Sequence, residues 1–125
     1  EDRVDIARAL IDSGADIEAK DKNDRTPLHV AADSNSLDVA TLLIDLGADI
    51  EANNEHGETP LHLAAWGDAL EVATLLIDLG ADIEAKNKGE GTPLHLASER
   101  KSLEVARLLI NLGANTQGID LSWMN

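Results

Sequence analysis

The sequence contains no cysteine, phenylalanine or tyrosine, and only one methionine, two tryptophans and three prolines in 125 residues. Without cysteine there is no disulfide, no thiolate metal site and no cysteine nucleophile. Trp66 and Trp123 are the whole aromatic complement, so a core must be assembled from Leu, Ile, Val and Ala. Positive charge is scarce as well. Ten Lys and Arg stand against 24 Asp and Glu, for a formal net charge of −14. Nucleic acid and anionic membrane surfaces repel such a chain, which argues against both as main partners. No apolar run approaches the ~20 residues of a membrane span, and no secretory leader is visible. The chain opens at Glu1 rather than Met, which reads as a fragment or a processed form. Its length is that of one domain.

What is present is repetition. Thr26-Pro27-Leu28-His29 returns as Thr59-Pro60-Leu61-His62 and again as Thr92-Pro93-Leu94-His95, each time after 33 residues. Gly14-Ala15-Asp16 returns at Gly47, at Gly80 and as Gly113-Ala114-Asn115. Residues 39–52 and 72–85 are one 14-residue string, VATLLIDLGADIEA. A fixed period of this size means stacked supersecondary units rather than a single globular core.

Within one unit, Thr26 suits an N-cap and Pro27 the first helical position, where its missing N–H costs nothing. A short helix through Leu28, Ala31 and Ala32 follows, its alanines permitting close approach. A tight turn is then needed at Asn35, Asp68 and Lys101. Asn and Asp tolerate the left-handed conformation and Lys does so poorly. Gly67 lies one residue early, which predicts a shifted second turn. A second helix starts at Ser36 and Ser102 as N-caps, with Asp38, Glu71 and Glu104 in the first turn, where the helix dipole favours them. Its apolar residues (Leu37, Val39, Ala40, Leu42, Leu43, Ile44 and Leu46) are too widespread for one amphipathic stripe and predict a helix sandwiched between neighbours. Gly47, Gly80 and Gly113 end it.

The period of 33, the T-P-L-H-x-A-A opening and the L-L-x-x-x-G-A-D-I close resemble ankyrin repeats. The resemblance covers nearly the whole chain. Residues 20–52, 53–85 and 86–118 are three full repeats, residues 1–19 are the second half of a preceding one, and residues 119–125 leave the pattern. It implies an all-α solenoid with hairpin-like fingers and a repeat domain over 1–118. The family usually has Gly where Asn35, Asp68 and Lys101 stand, and often Asn where this chain has Glu18, Glu51 and Glu84. That second departure removes an asparagine that some family members have hydroxylated.

Chemistry finds little purchase. Stacked helices lie about 8–10 Å apart, so His29, His62 and His95 cannot share one metal ion whose nitrogen ligands sit at about 2.1 Å. The expected role of each imidazole is to bond backbone and a Thr of its own or a neighbouring repeat. The rows Asp16, Asp49, Asp82 and Glu18, Glu51, Glu84 see one environment per copy, unlike an acid–base pair. They read as a solvated face, with weak cation binding as the alternative. No serine stands in G-x-S-x-G, and Gly89-Glu90-Gly91 is no phosphate loop. The sequence offers no catalytic residue, no metal site and no cofactor motif.

The resemblance implies a concave recognition face made of fingertips and the ends of first helices. Residue by residue it comprises Lys22, Asn23, Arg25, Asp33 and Ser34, then Glu55, His56, Glu58 and Trp66, then Lys88, Gly91, Glu99 and Arg100. These positions vary between repeats while the framework does not, which suits either a tailored surface or neutral drift. Trp66 reads as a binding anchor, because Trp is enriched at interface hot spots; the alternative is a ring lying flat on the neighbouring repeat. His56 reads as a finger residue or a partner contact. Residues 53–85 carry no Lys or Arg, and residues 86–118 carry five, so the surface is dipolar along the stack. The expected function is non-catalytic recognition of a basic or mixed-charge protein in the cytoplasm. The alternatives are a structural spacer in a larger protein, an effector segment acting on host proteins in the host cytoplasm, and an engineered scaffold. Ile119, Leu121, Trp123 and Met124 are expected to fold over the last helix pair, or else to form a linker. Ile6, Leu10 and Ile11 are expected to be partly exposed and to promote weak end-to-end self-association.

Overall fold

The computed structural model describes residues 16–124. Among these residues there are six α-helices and no strand. They form three helix pairs: α1 (Pro27–Asp33) with α2 (Leu37–Asp45), α3 (Pro60–Trp66) with α4 (Leu70–Asp78), and α5 (Pro93–Arg100) with α6 (Leu103–Asn111). A 3₁₀ turn at Ser122–Met124 follows. Each helix packs on its partner and on its counterpart in the next pair, α1 on α3 on α5 and α2 on α4 on α6. This is the repeat solenoid that the spacing predicts.

The first helix of every pair opens on the same capping box. The Thr26 hydroxyl accepts from His29 N while Thr26 N donates to His29 Nδ1 at 3.0 Å, and Thr59/His62 and Thr92/His95 repeat the arrangement. Because a backbone N–H occupies Nδ1, the proton of the neutral ring sits on Nε2. His29 Nε2 therefore donates to Glu58 O (2.8 Å) and His62 Nε2 to Gly91 O (2.9 Å), each in the following repeat. Burial holds both imidazoles below their ordinary pKa, and both stay neutral joints between modules.

Leu28, Leu61, Leu94, Leu76 and Leu109 fill the core, with Ala32, Ala64, Ala65 and Ala97 at the helix contacts. Fully burying one such leucine is worth about 1.5–3 kcal/mol. The second helices are not wholly sandwiched. Ala40, Leu42 and Leu43 are buried, but Leu37 and Leu46 are 38% and 46% exposed. Leu79 and Leu112 repeat the exposure of Leu46. These leucines are the C-cap residues that follow the second helices.

Three local expectations are corrected. The second turn is not shifted. Asn35, Asp68 and Lys101 take φ of 54°, 52° and 56°, whereas Gly67 sits at an ordinary −95°. A Cβ at Gly67 would lie 2.7 Å from Asp33 O, so this glycine serves close approach rather than handedness. Second, Ser36 and Ser102 hold the N-cap position but make no side-chain cap bond. For α4 and α6 the cap comes from the preceding repeat. Asn35 Oδ1 accepts from Val72 N and Asp68 Oδ1 from Val105 N. Asn35 also donates to Glu71 at 2.7 Å and holds that carboxyl below its usual range. Third, the carboxylate rows are more than solvated. Glu18, Glu51 and Glu84 accept from the N–H of Asp49, Asp82 and Asn115 at 2.7, 2.8 and 2.8 Å, each one repeat ahead.

Candidate functional site

The fingers are built on an Asx turn. Asp21, Asn54 and Asn87 each accept, through Oδ1, the N–H groups two and four residues on. The chain then reverses through Asp24, Gly57 and Glu90 at φ of 61°, 73° and 67°. Neighbouring fingers are stitched through backbone: Glu55 N donates to Asn23 O (3.1 Å) and Lys88 N to His56 O (2.9 Å). A Cβ at Gly57 would meet Lys88 N at 3.0 Å, so the second finger needs glycine both for its φ and for the closeness of the third.

Seven of the residues named from sequence converge on one groove of about 230 Å³ between the first two fingers and the ends of α1 and α3: Asn23, Arg25, Asp33, Glu55, His56, Glu58 and Trp66. Asn54 and Leu63 complete it and were not anticipated. Their signal was the alignment itself, since Asn54 matches Asp21 and Asn87, and Leu63 matches Val30 and Leu96. Lys22, Lys88, Glu99 and Arg100 are exposed and stand outside the groove. Ser34 is committed to its own helix, its hydroxyl donating to Val30 O (2.9 Å), and Gly91 O is taken by His62.

Charge in the groove is unequal. Arg25 is already paired with Asp21 at 3.0 Å, and the Arg25 backbone N–H, ahead of its guanidinium, holds the Asp21 carboxyl below its usual range. Glu58 accepts from Asn54 Nδ2 (2.9 Å), and Glu55 lies 3.8 Å from His56 Nε2, close enough to pair when the imidazole is protonated. Asp33 is exposed at the end of α1. The result is an acidic groove whose one arginine is internally neutralised.

Trp66 is covered by a side chain of the neighbouring repeat and still partly exposed. The residue is 40% exposed and borders the groove. The Arg100 guanidinium of the next repeat lies over it, 4.6 Å from the ring centroid. Such a cation–π contact is worth about 0.5–1 kcal/mol at an exposed site. Arg100 thus positions the indole rather than standing beside it as a free charge.

At the far end, Ile119, Trp123 and Met124 pack half-buried against the last repeat. The Trp123 indole N–H donates to Ser98 Oγ (3.0 Å) and Asp120 O (3.1 Å). The residues expected to drive end-to-end association, Ile6, Leu10 and Ile11, lie outside the described residues. No group of three or more His, Cys, Asp or Glu is placed to hold a metal ion among the described residues, and no helix there is long and apolar enough to cross a membrane.

Comparison with curated proteins finds no match. The family model for ankyrin repeats, in three copies, matches residues 1–87 and 51–120. Together with the solenoid and its Thr-Pro-Leu-His joints, this match means that the chain belongs to the ankyrin-repeat family.

Proposed function

We propose that the chain recognises a protein partner in the acidic groove, with Trp66 as anchor and Asp33, Glu55 and Glu58 selecting basic or mixed-charge segments. Ankyrin repeats are in general protein–protein interaction modules, typically without catalytic activity. The observation that carries the finer reading is the convergence of seven sequence-variable positions, a half-exposed tryptophan among them, on one cleft. Capping boxes and inter-finger bonds hold this surface rigid, so binding loses little ordering entropy. The net charge of −14 speeds encounter with a basic partner and makes association fall with salt. The reading places the partner and the chain in one compartment, the cytoplasm.

The test is selection of ligands from a random peptide library displayed on phage, with the full chain as bait. The selected peptides are expected to be basic. Trp66→Ala should weaken them roughly thirtyfold or more, as a hot-spot truncation does, and Glu58→Gln should weaken them less. Peptides that bind wild type and Trp66→Ala equally would remove the anchor, and a selection that enriches no peptide would favour the spacer reading.

A further inference from the structure

Residue 120 stands 33 positions after Asn87, in the place where each finger begins. Asp120 behaves accordingly. Its Oδ1 accepts from Ser122 N at 3.0 Å, the bond that Asp21, Asn54 and Asn87 make to Asn23, His56 and Gly89 at 2.8, 2.9 and 2.9 Å. Up to Ser122 the tail is the first half of a fourth finger. It then departs: Met124 N, which would complete the Asx turn, donates instead to Leu121 O (3.0 Å), and the chain folds into the 3₁₀ turn.

The departure leaves two joints open. In the internal repeats a finger N–H meets the preceding finger (Glu55 N on Asn23 O, Lys88 N on His56 O), and an imidazole Nε2 donates to a finger carbonyl. In this register Gly89 O would accept from Leu121 N, and His95 Nε2 would donate to Met124 O. Among the described residues neither Gly89 O nor His95 Nε2 has a partner. His95 is half-buried where His29 and His62 are fully buried. A cavity of about 480 Å³ lies between the tail and α5, bordered by His95, Ser98, Lys101, Ile119, Asp120 and Trp123. What holds the tail down is specific to this repeat. Ser98 stands where Ala32 and Ala65 are buried in the other repeats. Its hydroxyl donates to Asp120 O (2.7 Å) and accepts from the Trp123 indole.

We propose that residues 119–124 are a two-state strap. In the state seen, Trp123 is latched on Ser98. In the other, the segment completes a fourth finger, with Leu121 N on Gly89 O and Met124 O on His95 Nε2, and Trp123 is released to solvent. The exchange gives up four hydrogen bonds (Ser98 to Asp120 O, two from the Trp123 indole, and Met124 N to Leu121 O) and the indole packing. It gains three, Leu121 N to Gly89 O, His95 Nε2 to Met124 O and Met124 N to Asp120 Oδ1, together with the burial of His95, so the gains largely offset the losses. The latched strap covers α5; the released one lengthens the row of fingers.

Ser98→Ala tests this, because it restores the alanine of the other repeats and removes only the latch. The full chain carrying 5-fluorotryptophan reports the state of Trp123 by ¹⁹F NMR, with Trp66 as internal reference, and amide exchange reports Leu121. Losing a latch worth about 1–2 kcal/mol shifts the equilibrium roughly five- to thirtyfold. Trp123 should move to a solvent-like resonance while Leu121 gains protection by a similar factor. Two results overturn the proposal. One is a Trp123 that moves while Leu121 loses protection, which is fraying without a second state. The other is a Trp123 that stays in place, which denies the latch.

Discussion

Gly67 gives the sharpest check on the packing argument. A glycine beside a left-handed turn is ordinarily explained by handedness, yet Gly67 has φ −95° and Asp68 takes the left-handed position. The reason for glycine is instead the 2.7 Å that would separate its Cβ from Asp33 O. That oxygen is backbone at the end of α1, so relief requires the first two repeats to separate. Overpacking of this kind costs about 1–3 kcal/mol, and the lower chain entropy of unfolded Ala returns about 0.4–1 kcal/mol. Gly67→Ala should therefore destabilise the chain by about 1–2 kcal/mol. Urea unfolding followed by circular dichroism should show a midpoint lower by roughly 0.5–1 M at unchanged slope. Gly89→Ala is the matched control. Its Cβ would meet nothing closer than Asn87 Oδ1 at 3.6 Å, so it should be neutral or slightly stabilising. A Gly67→Ala chain as stable as wild type, or a Gly89→Ala chain equally damaged, would refute the reasoning.

Other expectations follow from the same geometry. His29 and His62 have folded pKa values below the ordinary 6.5, chiefly through burial, so the unfolded chain binds more protons at mildly acid pH. Their contribution is full above 6.5 and is lost as pH falls through the folded values; urea midpoints should drop accordingly, and less in His62→Gln. Lys101→Gly removes a left-handed lysine at φ 56°, worth about 1–2 kcal/mol. Against the entropy of glycine, about 0.5–1 kcal/mol, the thermal midpoint should rise; a fall would show that the turn is unstrained. Leu76→Ala should cost about 2–5 kcal/mol, whereas Leu79→Ala, 50% exposed in the same sequence string, should stay within about 1 kcal/mol by urea titration.

The period and the capping boxes were legible because Thr-Pro-Leu-His is a local signal whose physics needs no partner. The joints between repeats were not. Whether Glu18 faces water or an amide depends on a residue 31 positions on, and nothing in one repeat announces that Asn35 caps α4. The candidate residues could be named because the ankyrin resemblance puts the recognition face at fingertips and first helices, and seven of them border one groove. Arg100 could be expected to flank Trp66 with charge, but not to lie over its ring, because that contact joins two repeats. The tail looked patternless since only Asp120 and its Asx bond keep the register.

The forward-reaching bonds of Glu18, Glu51 and Glu84 have an evolutionary corollary. Every seam is closed by the same atoms, and the strings 39–52 and 72–85 are identical. A genetic excision between them, or an extra copy inserted there, would leave each seam matched to its new neighbour. Such a chain can change the number of its fingers in one event, and with it the reach of its surface, without reinventing an interface.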